Sequence, residues 1–143
     1  MTSTKAADHA ALLLRLTLGV AFLAHAGLKL FVFTLPGTVA FFESIGYPGV
    51  LAYVVTFAEL AGGLALIAGF QVRLASLLAV PILLGALAQH AGNGWMFANA
   101  GGGWEFPAFW TMALLVQALL GPGAYAVRVA PELIRLGAAP ARA

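Results

Sequence analysis

The stretch LLLRLTLGVAFLAHAGLKLF, residues 12–31, is apolar over a length that can cross a lipid bilayer. It also contains three side chains that can carry a positive charge, Arg15, His25 and Lys29. A charge at the centre of a span costs about 2.5–3.5 kcal/mol on the insertion scale, so such residues need partners. The stretch therefore predicts a transmembrane helix with polar groups that belong to a site or pair with other helices.

The composition predicts that the whole chain, and not this stretch alone, lies in a membrane. Of the 143 residues, 62% are hydrophobic and 8% are charged, whereas soluble domains have about 25% charged residues. We expect a single integral membrane domain over residues 1–143, surrounded by lipid and without a soluble catalytic domain. Because the basic residues are scattered, no nucleic-acid partner is expected. The chain has no cysteine, which excludes covalent c-type haem and Cys-ligated iron-sulfur clusters.

Four apolar segments predict four spans, at about residues 11–33, 50–70, 73–91 and 104–120. Segments that span lipid must be helices, so the predicted fold is an all-α four-helix bundle. Short interfacial helices are expected in the connection 34–49 and in the C-terminal tail, residues 124–143. Pro81 is expected to kink the third span.

The distribution of Lys and Arg predicts the orientation of the bundle. All but Lys29 fall on one side of it, which places both termini in the cytoplasm of a bacterium, with the protein as a multi-pass component of the plasma membrane. Arg15 is predicted to anchor the first helix at the inner interface. It also interrupts the first apolar run, so we expect no cleaved signal peptide, although Ala24-His25-Ala26 fits the cleavage pattern.

The depths of the polar residues indicate which of them can meet. With a rise of about 1.5 Å per residue, His25 lies roughly 12 Å below the outer boundary, Lys29 roughly 6 Å and Glu59 roughly 14 Å. His25 and Glu59 are therefore predicted to face each other, while Lys29 either extends to the interface or joins the same site. Gly62 and Gly63 follow Glu59 on one helix face and allow another helix to approach it closely.

Three more candidates, His90, Trp104 and Glu105, lie at outer helix ends, where interfacial anchoring is the alternative role. A metal is not expected, because the candidate ligands have no motif spacing and Lys29 would oppose a cation. Haem between two histidines is disfavoured, because their depths differ by about 7 Å. A quinone headgroup fits better, because its two carbonyl oxygens need donors and its reduction takes up two protons. The predicted catalytic residues are His25 and Glu59, and the predicted ligand-binding residues are Lys29, His90, Trp104 and Glu105.

The chain resembles the DoxX/DoxD family of small four-helix membrane proteins. The resemblance lies in an ordered set of motifs from about residue 12 to residue 125: the opening stretch, then FFESIGYP, AELAGGLALIAGF, VRLAS, QHAGNGW, WEFP and ALLGPGAY. It implies a role in redox pathways, since some members are subunits of a thiosulfate:quinone oxidoreductase and others are linked to detoxifying aromatic compounds or to oxidative stress. It also implies that the polar positions are Arg15, His25, Lys29, Glu59, His90 and Glu105. The lack of cysteine argues against sulfur transfer through a protein thiol.

Three functions remain open at this point. The first is a quinone-linked oxidoreductase component, with an outward-facing pocket covered by the mobile Gly-rich loop 92–103, that receives electrons from a redox partner protein. The second is a non-enzymatic accessory or assembly subunit of a larger membrane complex, since helix faces rich in Ala and Gly can pack against another protein or a second copy. The third is a proton-linked channel or transporter that uses Glu59.

Overall fold

The structure, a computed structural model, describes residues 3–127, and these are all-helical with no strand among them. The helices are α1 (Ser3–Gly27), α2 (Leu35–Ser44), α3 (Val50–Ala68), α4 (Val72–His90) and α5 (Glu105–Leu120). Leu28–Val32 continue α1 as a π-helical turn, and Ala91–Asn93 form a short 3-10 turn after α4. Of the predicted tail helix, residues 128–143 lie outside the described residues, and 124–127 contain only a turn.

The all-α fold is confirmed, with helices apolar enough to lie in a membrane. The helical stretches Thr4–Val32, Val50–Ala68 and Val72–Asn93 are long and apolar enough to cross a bilayer, and Glu105–Leu120 is a shorter apolar helix. The short helix α2 occupies the connection where the sequence predicted one. Helix α1 begins earlier than the predicted span, and α4 runs unbroken through Pro81.

Among the four long helices α1, α3, α4 and α5, neighbouring helices run antiparallel. Helix α1 packs mainly against α3, α4 packs mainly against α5, and contacts of α3 with α4 and of α1 with α5 close the bundle. We call the end that carries α2 and the Gly-rich loop the outer end, and the opposite end the inner end. The central core between them is apolar; its buried residues are Leu18, Phe22, Leu66, Val72, Ala79, Leu83, Trp110 and Leu114.

Helices α1 and α3 approach each other at two glycines. A Cβ atom on Gly63 would lie 2.9 Å from the carbonyl oxygen of Gly19, and one on Gly19 would lie 2.9 Å from that of Gly63. Small residues at such crossings allow the backbones to come together in lipid. Gly62, by contrast, faces open space. Of the two glycines after Glu59, Gly63 therefore makes the close helix contact.

Arg15 is buried at the inner end and does not reach the interface as predicted. It is 1% exposed, and its guanidinium donates hydrogen bonds to the carbonyl oxygens of Leu66 (3.0 Å), Ile67 (2.6 Å) and Ala124 (2.9 Å). The carbonyls in the last turn of a helix lack partners within the helix, which gives a buried guanidinium suitable acceptors. Arg15 thus ties the end of α3 and the segment after α5 to α1.

Candidate functional site

A cavity of about 1170 Å³ opens at the outer end of the bundle. Its walls come from the π-helical turn, α3, α4 and α5, and its rim comes from α2 and the Gly-rich loop. Most of the lining is apolar or aromatic, and it includes Phe33, Phe42, Leu51, Leu83, Phe106 and Trp110. Four of the six predicted site residues line it together: His25, Lys29, Glu59 and His90. Trp104 and Glu105 do not line it.

The strongest polar contact in this cavity joins α1 to α3. The ammonium group of Lys29 donates hydrogen bonds to both carboxylate oxygens of Glu59, at 2.9 and 2.8 Å. The two side chains are 17% and 7% exposed. In an apolar surrounding, a charge without its partner is costly, so each of these groups holds the other in the cavity wall. The partner that the sequence assigned to Glu59 was His25; the structure pairs it with Lys29.

The π-helical turn carries Lys29, the positively charged member of this ion pair. The backbone N–H of Phe33 donates to the carbonyl oxygen of Leu28 at 2.8 Å, a five-residue step that widens the helix. The chain then turns at Thr34, whose φ of 62° is rare for a residue other than glycine, asparagine or aspartate. The hydroxyl of Thr38 donates to the Thr34 carbonyl at 2.9 Å and lies 3.4 Å from that of Lys29. Helix α2 is thereby fixed beside the lysine.

His25 leaves one ring nitrogen for the cavity. Its Nδ1 lies 2.9 Å from the carbonyl oxygen of Ala21, one turn earlier on α1. A carbonyl only accepts, so Nδ1 carries the hydrogen in this contact, and Nε2 has no hydrogen-bond partner among residues 3–127. The imidazole packs edge-on against Trp110, with ring centroids 4.8 Å apart. The ring is thus oriented, and its second nitrogen can exchange a proton or a hydrogen bond with a bound molecule.

His90 holds the Gly-rich loop against the cavity. Its Nδ1 lies 3.0 Å from the carbonyl oxygens of both Gly101 and Gly102. The amide of Asn93 donates to the same two oxygens, at 3.1 and 2.9 Å. At Gly103 a Cβ atom would overlap the backbone of the preceding part of the loop, so no larger residue fits there. These contacts hold the loop against the cavity in the structure, and the mobility that the sequence predicted for it stays a prediction.

Trp104 and Glu105 lie on the side of the loop that faces away from the cavity. The ring of Trp104 packs perpendicular to that of Trp95, with centroids 4.5 Å apart. The carboxylate of Glu105 accepts a hydrogen bond of 2.7 Å from the backbone N–H of Phe97. Both residues therefore shape the loop and the start of α5, and neither touches the space that the other four candidates share.

Comparison with known proteins identifies the family. The DoxX family model matches residues 10–97, which is more than half of the chain. The chain belongs to the DoxX family. The matched region contains His25, Lys29, Glu59 and His90, while Trp104, Glu105 and α5 follow it. The cavity of this DoxX chain is thus built jointly by the matched region and by α5.

A relative with a curated name has a similar sequence. The Bacillus subtilis protein named "Putative oxidoreductase CatD" is 41% identical over 76 residues, which is 53% of this chain and 55% of that protein. The chain thus spans about half the length of the curated relative that it matches. No solved structure matches the chain. The family and the apolar helices make the DoxX chain a multi-pass membrane protein.

Two lining residues were missed by the sequence analysis. Trp110 lies in the middle of α5 and contacts Phe22, His25 and Phe106. Tryptophans in spans favour the two interfaces, so one placed well inside a span is a detectable signal. Asn93 had a weaker signal, its position three residues after His90 in QHAGNGW. Among residues 3–127, no group of three His, Asp or Glu side chains could hold a metal ion.

Proposed function

We propose that this DoxX chain is the membrane component of a quinone-linked oxidoreductase and binds a quinone, or a similar small redox molecule, in the outer cavity. The observation that carries the proposal is the ion pair of Lys29 and Glu59 in the wall of a mainly apolar cavity. Paired charges at such a place have a cost that a packed apolar core would avoid. Ionisable groups inside a membrane commonly serve ligands or proton transfer, and the cavity gives this pair access to both.

The polar groups suit a ligand with carbonyl oxygens. An ammonium group has three donor hydrogens, and Lys29 uses two of them on Glu59, which leaves one for a carbonyl oxygen of the ligand. The Nε2 of His25, which is an acceptor when the hydrogen is on Nδ1, suits the O–H group of the reduced ligand and provides a second polar contact from the neighbouring turn. The aromatic and aliphatic lining accommodates a ring, and the cavity volume is sufficient for a small organic molecule.

The same groups supply the protons of the reaction. Reduction of a quinone to a hydroquinone takes up two electrons and two protons, one proton on each oxygen. Lys29 donates one proton from Nζ, and His25 donates the other from Nε2 after that nitrogen has taken up a proton from water at the outer end; Glu59 takes up a proton from the same water and returns it to Lys29. Because the chain has no cysteine, we assign the electrons to a redox partner protein. The name of the Bacillus subtilis relative supports an oxidoreductase role, and the distribution of Lys and Arg supports a bacterial plasma membrane as its location.

The transporter alternative finds little support in the packing. Each long helix contributes one residue to an apolar layer between the outer cavity and the inner end. That layer contains Leu18, Leu66, Ala79 and Leu114. Arg15, Ser76 and Gln117 lie on the inner side of it. Within the described part of the chain, the helices thus present a dry core where a transport path would need polar groups.

Solvent extraction of the purified protein, followed by mass spectrometry of the extract, tests the proposal. We expect a quinone enriched over the membrane background, lost in Glu59→Gln and in His25→Ala. Glu43→Gln is the matched control, because Glu43 is an exposed carboxylate on α2 that does not line the cavity. Absence of enriched quinone from the wild type would contradict the proposal. A stoichiometric partner without any bound redox molecule would favour an accessory subunit instead.

A further inference from the structure

A second, smaller groove lies directly beside the outer cavity. Its volume is about 660 Å³, and it runs along the first turns of α5 beside the Gly-rich loop. Phe97 and Phe106 line both spaces. The remaining wall of the groove includes Trp95, Phe109 and Met112. Two aromatic rings are thus shared by the cavity and a groove on the outside of the bundle.

The shared rings are held by their neighbours on one side only. The ring of Phe106 lies 5.6 Å from that of Trp110 in the cavity wall and 6.3 Å from that of Phe97. The backbone of Phe97 is fixed by its hydrogen bond to Glu105. The side chain of Phe97 is nevertheless 65% exposed. A change of side-chain rotamer in either phenylalanine can therefore open the partition while the backbone stays in place.

The groove faces the hydrocarbon of the membrane. Phe106, Phe109 and Met112 follow one another at three-residue steps, which places them along one side of α5. Phe109 is 73% exposed and Met112 is 59% exposed, on a helix that is apolar throughout. Exposed apolar side chains on such a helix contact lipid. A molecule in the groove thus lies at the border between the lipid and the protein.

We propose that Phe97 and Phe106 form a lateral passage from the lipid into the cavity, and that the groove beyond them binds the alkyl tail of the cavity ligand. This inference rests on the proposed function, and it specifies the ligand as a lipid-soluble molecule with a polar head and an apolar tail. We expect a tail because the cavity and the groove adjoin at Phe97 and Phe106, so one molecule passing between these two rings fills both spaces. The head end carries Lys29 and His25, whereas the groove is apolar except for Glu105. Met112 adds an adaptable surface for a flexible chain.

This proposal gives Glu105 a positioning role. Its carboxylate accepts the backbone N–H of Phe97 and so acts on the passage through that residue; Glu105 lines the groove but not the cavity. A glutamine retains an acceptor oxygen at the same distance from the backbone, whereas an alanine does not. The pair Glu105→Gln and Glu105→Ala therefore separates the hydrogen bond from the charge.

Photolabelling of the full chain in lipid nanodiscs tests the passage. One probe is a benzoquinone with a photoreactive diazirine at the end of a decyl tail, and the other carries the diazirine on the ring. We expect the tail probe to label Phe109 and Met112, and an excess of decylbenzoquinone to abolish that label. The reference surface is Leu77 and Leu78, which are exposed on α4 and outside both spaces. Label there should resist competition, since it reports only lipid contact.

The two probes distinguish the possible failures. One outcome is that decylbenzoquinone suppresses labelling of cavity residues by the ring probe, while the tail probe labels the groove no more strongly than the reference surface on α4. The passage is then wrong and the proposed function stands. If the ring probe gives no competable label in the cavity, the proposed function is wrong and the tail site falls with it. In the variants, we expect the competable tail label to persist in Glu105→Gln and to be lost or spread over other surfaces in Glu105→Ala. Equal labelling in the two variants would contradict the positioning role.

Discussion

The two ends of the bundle both contain buried charge, but they use it differently. At the inner end, the guanidinium of Arg15 donates to three backbone carbonyls of two other segments, and Arg15 lines neither the outer cavity nor the groove beside it. At the outer end, Lys29 and Glu59 bind each other and face a large cavity. Backbone acceptors fix the fold, whereas side-chain partners beside a cavity can be exchanged for a ligand. Burial of charge alone therefore does not identify a site; its partners and surroundings do.

The largest expected effect is on stability, at the inner end. Arg15→Met removes three hydrogen bonds from a charged donor, which contribute about 1.5–3 kcal/mol each before the cost of burying the charge is subtracted. We expect the free energy of unfolding to fall by about 3 kcal/mol or more. Equilibrium unfolding in mixed micelles measures it. Arg73→Met is the control, because Arg73 is exposed at the same end. Equal stability of the two variants would show that Arg15 is not structural.

The next effect comes from breaking the outer pair on one side. Glu59→Gln leaves the ammonium of Lys29 without its counter-charge, and Lys29→Met leaves the carboxylate alone. Loss of one partner of a buried pair costs about 3–5 kcal/mol in a dry interior, and the adjoining cavity should reduce this to about 2 kcal/mol. We expect both single variants to unfold at lower denaturant concentration than Glu43→Gln. If the loss of stability is smaller than in the control, the pair is hydrated and neither charge depends on the other.

The third effect is on binding with little change in stability. Within residues 3–127, His25 makes a single hydrogen bond, to its own helix, so His25→Phe should retain the packing against Trp110 and the fold. We expect quinone affinity to fall about tenfold, which corresponds to about 1.4 kcal/mol. Calorimetric titration of a benzoquinone into the nanodisc-embedded protein measures it. Unchanged affinity would remove His25 from the site.

The smallest effect concerns the Gly-rich loop. His90 and Asn93 contact the same two carbonyl oxygens, so His90→Ala leaves the amide of Asn93 as their partner. We expect a loss of about 1 kcal/mol or less in global stability. Amide hydrogen exchange should become faster only in the loop 94–104. Faster exchange throughout α4 and α5 would mean that the loop contact supports the whole bundle.

The sequence predicted the fold well, because hydrophobic length is a direct consequence of the membrane. The second, third and fourth spans end within a few residues of α3, α4 and α5. The burial of Arg15 could not be predicted, because its acceptors are backbone carbonyls whose position depends on how the end of α3 meets α1. The start of α1 at Ser3 also has no hydropathy signal, since its first turns are polar and exposed.

The sequence predicted that His25 and Glu59 face each other, and in the structure the ion-pair partner of Glu59 is Lys29. Depth along the helix axis placed His25 level with Glu59, but a lysine has a long flexible side chain that bridges one turn of depth. The π-helical turn at Leu28–Val32 then directs Lys29 toward α3, and no periodicity in the sequence reveals such a turn. Trp104 and Glu105 lie away from the cavity because the loop before them bends at glycines with positive φ, among them Gly94, Gly101 and Gly102.

The most direct test of the difference between the two ends uses the double variant Lys29→Met/Glu59→Gln. It removes both charges of the outer pair, so no buried charge remains unpaired, and most of the stability lost in the single variants should return. The measurement is the quinone content of the purified, monodisperse double variant. We predict a folded protein without enriched quinone. A double variant that retains quinone at the wild-type level would contradict the assignment of this pair to the ligand site.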